Sequence, residues 1–197
     1  MRKMIATFGL LLALLLPGVA LGYSSGVPVG LTGAPGEGTC ASCHGDLNTG
    51  MGGISITAPL TCAPGETLDI TVDMHHMGMQ MWGFELTCLD GAGEPAGEFI
   101  CTDPDRTQLD TDGDTGREYM MHTADGTDDG YMNMCLGWSF QWVAPEDYRS
   151  EMTFYASGVA ANSSQGSNGD YAYADLVTSI LTPVDEMTWS QVKALYR

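Results

Sequence analysis

The chain has 197 residues, 44% of them apolar, and a formal net charge of −18. That length suits one domain with a sizeable core. Seven basic residues against 25 acidic ones exclude a surface built to hold nucleic acid or anionic lipid, and favour cationic partners, divalent metal or plain solubility outside the cell.

Residues 1–22 have the layout of a secretory signal peptide. Arg2 and Lys3 are the positive start, and Ile5 to Leu16 is apolar. Pro17-Gly18 breaks the run, and Ala20-Leu21-Gly22 is a small-x-small cleavage site before Tyr23. The apolar run is too short for a stable membrane anchor, and no later stretch is long enough to span a bilayer. Export places the chain in the periplasm or outside the cell. After cleavage only Arg106, Arg117, Arg149, Lys193 and Arg197 oppose the 25 carboxylates, a net charge of −20.

Tyr23–Gly53 is rich in Gly, Ser, Pro and Thr and reads as an irregular segment wrapped on something else. It contains Cys40-Ala41-Ser42-Cys43-His44, the CxxCH attachment signature of a c-type haem. Cys40 and Cys43 are the thioether anchors and His44 is the proximal iron ligand. A CxxC disulfide and a structural zinc site are the rival readings. Zinc needs further ligands, which His75, His76 or His122 could supply.

From Ile54 onward the signals are strand-like. Gly53–Thr57, Thr67–Met74 and Trp82–Leu89 alternate polar with apolar, and Pro64-Gly65 makes a turn. Glu98–Thr102 and Arg117–Thr123 are shorter. Leu136–Val143 alternates with aromatics, and Met152–Ser157 and Tyr171–Ile180 complete about eight strands. The reading is all-β: an antiparallel β-sandwich over 23–182, including the haem-binding segment 23–53. Residues 183–197 form a tail in which Met187, Val192 and Leu195 suggest a short helix after Pro183, serving docking or sorting.

Four further cysteines suggest disulfides in an exported chain. Cys88 and Cys101 flank a Gly-rich turn and could pair across a hairpin, which leaves Cys62 with Cys135. The sixth haem ligand is expected to be His122, with His75, His76 or a methionine (Met74, Met77, Met79, Met81, Met120, Met121, Met132, Met134) as alternatives. The thioethers and imidazoles crowded over 74–81 also suit copper, especially copper(I). Asp110, Asp112 and Asp114 alternate as in a calcium loop, with Asp103 and Asp105 nearby. However, Met121 stands where an EF-hand loop needs Glu, and the glycine is displaced. No nucleophile elbow, phosphate loop or HExxH is present, and no spacing orders a catalytic triad.

Several motifs together resemble one family. They are Tyr23-Ser-Ser-Gly26, Leu31–Gly45, Trp82–Thr87, Gly116–Thr123, Trp138–Pro145, Thr153–Asn162 and Gly169–Tyr173. In this order the chain is similar to the bacterial choice-of-anchor V domain, itself similar to the reeler domain at the start of reelin. The resemblance implies an immunoglobulin-like sandwich on an exported protein and no particular activity. The chain departs from it at the Met/His run 74–81, in the length of the acidic stretch 103–116 and in the four extra cysteines.

Two functions are consistent with these features. One is an exported mono-haem cytochrome c that carries single electrons through a six-coordinate iron, without turnover, to a redox partner with a basic docking surface. The other is a secreted binding or adhesion module in which haem or zinc staples the N-terminal segment.

Overall fold

A computed structural model of the chain describes residues 23–147, 151–164 and 166–182. The expected signal peptide and the C-terminal tail lie outside these residues.

Ten strands form two sheets. The smaller sheet has the order β1-β3-β8-β5, from β1 (Gly52–Thr57), β3 (Thr67–His76), β8 (Trp138–Val143) and β5 (Glu98–Ile100). The larger has the order β2-β10-β9-β4-β7-β6. Its strands are β2 (Thr61–Cys62), β10 (Tyr171–Leu181), β9 (Glu151–Ala161), β4 (Met81–Asp90), β7 (Glu118–His122) and β6 (Thr107–Thr111). All pairings are antiparallel except β2 with β10. The all-β sandwich expected from the alternation is therefore the fold.

Between the sheets lie Trp82, Phe84, Trp138, Phe140, Trp142 and Phe154, with Ile70, Val72 and Leu86. Strand β3 shows why: Leu68, Ile70, Val72, Met74 and His76 are buried while Thr67, Asp69, Asp73 and His75 face out. Each core indole keeps its N–H paired. Trp82 donates to the Tyr131 carbonyl at 3.0 Å, Trp138 to Gly126 at 2.8 Å and Trp142 to Ala96 at 3.0 Å.

Strand β4 departs from alternation, because it is buried on both faces from Phe84 to Leu89, as β9 is from Ala156 to Ala160. The outer face of β4 is covered by residues 23–40. Leu31 donates its N–H to Glu85 Oε2 at 2.6 Å. Glu37 Oε1 accepts from Arg117 at 2.6 Å and from the Tyr119 hydroxyl at 2.8 Å. A strap bound to carboxylates in this way needs no secondary structure of its own.

Part of the acidic stretch 103–116 is a strand. β6 pairs with β7 from Thr107↔His122 to Thr111↔Glu118. Leu109 is its one apolar residue and the strand lies at the edge of the sheet, so it carries almost no alternating signal. Asp110 thus lies in a strand, and Asp112 and Asp114 in the following turn. There Asp112 Oδ1 accepts the Asp114 N–H at 2.8 Å, which holds the Asp112 carboxyl below its ordinary range.

Candidate functional site

The CxxCH motif closes a single helical turn, α1 (Ala41–His44). The N–H groups of Cys43 and His44 both reach the Cys40 carbonyl, at 3.2 and 3.1 Å. Gly45, at φ +84°, then ends the turn in a conformation that L side chains rarely adopt. One turn separates the two thiols, so they lie on one side of it.

Two contacts fix this turn to the outer face of the β9–β10 hairpin. The Cys40 N–H donates to Ser157 Oγ at 3.0 Å, and that hydroxyl donates to the Tyr173 carbonyl at 3.0 Å. The Cys40 side chain packs on Val159 and Ala172, with Ala41 and Ala161 alongside. At the other end His44 Nδ1 lies 2.9 Å from Asp170 Oδ2. Asp170 is buried, and its Oδ1 accepts the Asn162 N–H at 3.2 Å. A carboxylate only accepts, so Nδ1–H is the donor, and in the neutral ring Nε2 is the nitrogen that holds the lone pair. Metal-bound histidines are oriented in this way.

Burial pushes the Cys40 thiol up to about 11. Thiols that work in disulfide exchange are depressed instead, so Cys40 is poorly suited to a redox CxxC. Cys43 is exposed. Beneath the strap, burial and then neighbouring Glu37 push the Glu85 carboxyl up to about 8, although the Leu31 N–H opposes this. Glu85 Oε1 has no partner.

His122 lies on the same outer face as the motif. Trp82 and Phe84 point into the core, so Gly83 between them faces outward, and a Cβ there would meet the His122 ring at 2.8 Å. Gly83 pairs with Val159, and Val159 with Ala172, so the imidazole and Cys40 flank one cross-strand row of small side chains. The His122 ring sits where the β4–β7 ladder stops. Its Nδ1 accepts the Phe84 N–H at 3.1 Å, and its Nε2 donates to the Tyr23 carbonyl at 3.3 Å. Burial lowers its pKa and keeps it neutral. Reaching an iron requires Nε2 to exchange the Tyr23 carbonyl for the metal.

The other expected ligands are elsewhere. His75 and His76 belong to the smaller sheet. His76 is buried edge-on against Tyr171, with ring centroids 4.0 Å apart, and burial lowers its pKa. Strand β10 stands between it and α1. Among the described residues no three of His, Cys, Asp or Glu converge as a metal-binding group, so neither the zinc set nor Asp110, Asp112 and Asp114 are gathered into one.

The expected disulfides are not formed, and all six thiols are free. The Cys101 thiol donates to the Thr107 carbonyl at 3.2 Å, and Cys135 Sγ accepts the Met74 N–H at 3.0 Å. Cys88 is buried in the core, where desolvation and then Cys62 raise its pKa. The pairing inferred from sequence assumed a Cys88–Cys101 hairpin, but β4 and β5 lie in different sheets.

Asp170, Ser157 and Glu85 were not singled out from sequence. Glu85 carried no signal of burial, because its alternation with Phe84 and Leu86 reads as an ordinary outward polar position. Asp170 sits just before a strand and had none.

No protein-family model and no curated protein sequence matches the chain. Its fold is similar to the reeler domain of human F-spondin, with 16% identity, 71% of this chain and 95% of that one covered, and a TM-score of 0.48. It is also similar to a cohesin module of a family 33 glycoside hydrolase from Clostridium perfringens, with 8% identity, 69% and 100% coverage, and a TM-score of 0.46. The two-sheet sandwich rests on the strand pairings described above, and the resemblance to the choice-of-anchor V family gains nothing from these likenesses. Among the described residues no helix is long and apolar enough to cross a membrane.

Proposed function

We propose that the chain is an exported mono-haem c-type cytochrome that passes single electrons. The observation that carries this reading is the bond from His44 Nδ1 to the buried Asp170, which leaves Nε2 free on the turn that bears Cys40 and Cys43. The residues fit the group: two thiols one turn apart, an oriented imidazole, and small apolar side chains beside Cys40. When bound, haem c supplies a one-electron ferric/ferrous couple. His44, oriented by Asp170, would hold the iron beside the thioether anchors, and His122 would supply the second imidazole, because it shares the motif's face of the sheet while His75 and His76 do not.

The surface suits a basic partner. Both arginines of the described residues are tied to carboxylates, Arg106 to Asp128 at 2.6 Å and Arg117 to Glu37 at 2.6 Å. The exposed charge of the described residues is therefore almost wholly negative, and association should weaken as salt is added.

The test is the optical spectrum of protein matured with the haem c machinery, as wild type and as His122→Ala. A covalent low-spin spectrum that turns high-spin in the variant is expected. An unchanged low-spin spectrum assigns the sixth position to another ligand. Absence of covalent haem overturns the cytochrome reading and leaves the secreted binding module.

A further inference from the structure

The Met/His run at 74–81 is split by the fold. Met74 and His76 turn into the sandwich, whereas His75 and Met77 face solvent. Other parts of the chain complete the outer set. Gly53 pairs with His75 in the β1–β3 ladder, and Met134 bridges to His75 from the other side. Gly53, His75 and Met134 therefore form one row across three adjacent segments. The last pair of the ladder is Gly52↔His76, and Met51 and Met77 are the next residues on either chain.

Asn133 pins the segment between Met132 and Met134 to the turn that follows β3. Its N–H donates to the Met79 carbonyl at 2.8 Å, its carbonyl accepts from the His76 N–H at 2.9 Å, and its Oδ1 accepts the Gly78 N–H at 2.8 Å. Asn133 adopts φ +75°, a left-handed conformation that Asn tolerates better than most residues. The thioethers are thus carried on a braced corner of the sheet.

Their exposure is unusual. Met51 is 72% exposed, Met77 72%, Met132 52% and Met134 62%, and these are all the exposed methionines among the described residues. Exposed aliphatic side chains elsewhere on the sandwich, such as Leu47, Leu60, Ile100, Leu109, Leu176 and Ile180, are Leu or Ile, and the exposed aromatics among the described residues are Tyr23 and Tyr131. Buried methionines such as Met120 and Met152 fill the interior, as the type commonly does. Packing gives no reason to gather exposed thioethers at one corner around an exposed imidazole, but soft-metal chemistry does. Neutral sulfur and nitrogen donors select copper(I) over hard cations, and the acidic surface draws a cation in. Gly53 leaves room beside the ring, since the nearest atom to a Cβ built there is His75 Cε1 at 3.4 Å.

We propose that His75, with thioethers drawn from Met51, Met77, Met132 and Met134, binds one soft monovalent cation, copper(I), at this corner of the smaller sheet. The site is separate from the CxxCH turn and does not depend on the haem reading.

The test titrates the full exported chain with silver(I), a redox-inert probe for copper(I), and follows methionine methyl signals by NMR. Titration continues past saturation of the free thiols. The methyl groups of Met51, Met77, Met132 and Met134 should shift together while those of Met120 and Met152 stay in place. Competition with a chromophoric copper(I) chelator should show affinity falling at least tenfold in His75→Ala and in Met51→Leu/Met134→Leu, both at exposed positions. Silver or copper taken up by thiols alone, with the four methyl signals unmoved, overturns the proposal. Unchanged affinity in both variants does so as well.

Discussion

His44 and Asp170 are 126 positions apart in the chain and meet at 2.9 Å, imidazole Nδ1 to carboxylate Oδ2. The same carboxylate accepts the Asn162 N–H, so one buried side chain joins the CxxCH turn to the end of the β9–β10 hairpin. Asp170→Asn replaces one acceptor oxygen by a donor and leaves either His44 Nδ1–H or Asn162 N–H unmatched. Chemical denaturation should show a loss of about 1–3 kcal/mol. In haem-loaded protein the midpoint potential should rise, because a neutral amide polarises the proximal imidazole less than a carboxylate does. A variant with unchanged stability and unchanged potential would remove Asp170 from the site.

Glu85 makes stability depend on pH in a direction opposite to that of a salt-bridged acid. Its folded pKa, about 8, lies above the ordinary 4.5. Between these values the unfolded chain has released the proton that the folded chain still holds, so stability falls as pH rises through the window. Glu85→Gln stays neutral and can still accept the Leu31 N–H. Going from about pH 5 to about pH 9, the wild type should lose on the order of 3–5 kcal/mol relative to this variant. Parallel urea titrations at the two pH values check this; identical slopes would contradict it.

His122 acts with the other sign. Its folded pKa is below 6.5, so below pH 6.5 the unfolded chain takes up a proton that the folded ring refuses, and stability is lost as pH falls. His122→Ala without haem should cost about 2–4 kcal/mol, since it strands the Phe84 N–H and empties the space over Gly83. It should also flatten the acid limb of the stability curve, which thermal melts across that range would reveal.

The thiols should react unequally. In native protein without haem, iodoacetamide should modify Cys43 first. Cys40, packed and held up to about 11, and Cys88, deeper still, should react only on unfolding. Mass spectrometry of timed samples reads the order. Free Cys88 and Cys101 in unreduced, unfolded protein would rule out the hairpin disulfide.

Strands whose alternation meets one buried face were legible from sequence, β3 and β8 most clearly. β9 was read as ending at Ser157 but runs to Ala161, because Gly158-Val-Ala-Ala looks like loop composition. Gly158 is needed there: a Cβ would stand 2.5 Å from Met74 Sδ and 2.7 Å from the Gly83 carbonyl. β2 has only two residues and exists through its pairing with β10. CxxCH drew notice through its spacing alone. Asp170 could not be assigned to it, since nothing local to either residue encodes a contact made across most of the chain. The methionine corner was half legible: the run 74–81 drew notice, but alternation sends half of it inward, and its remaining members arrive from Met51 and the 132–134 segment.

The platform under Cys40 also sets an order of events. Val159, Asp170 and Ala172 are synthesised more than a hundred residues after the motif. As the chain is made, Cys40 and Cys43 emerge well ahead of the strands that will cover Cys40. Over that interval both thiols and the His44 ring stand clear of any sheet, open to a modifying enzyme. Once β10 pairs with β9, Cys40 is enclosed. The fold thus acts as a deadline: chemistry at the inner thiol must be finished before the last strand arrives, and a chain that misses it carries its first cysteine locked away.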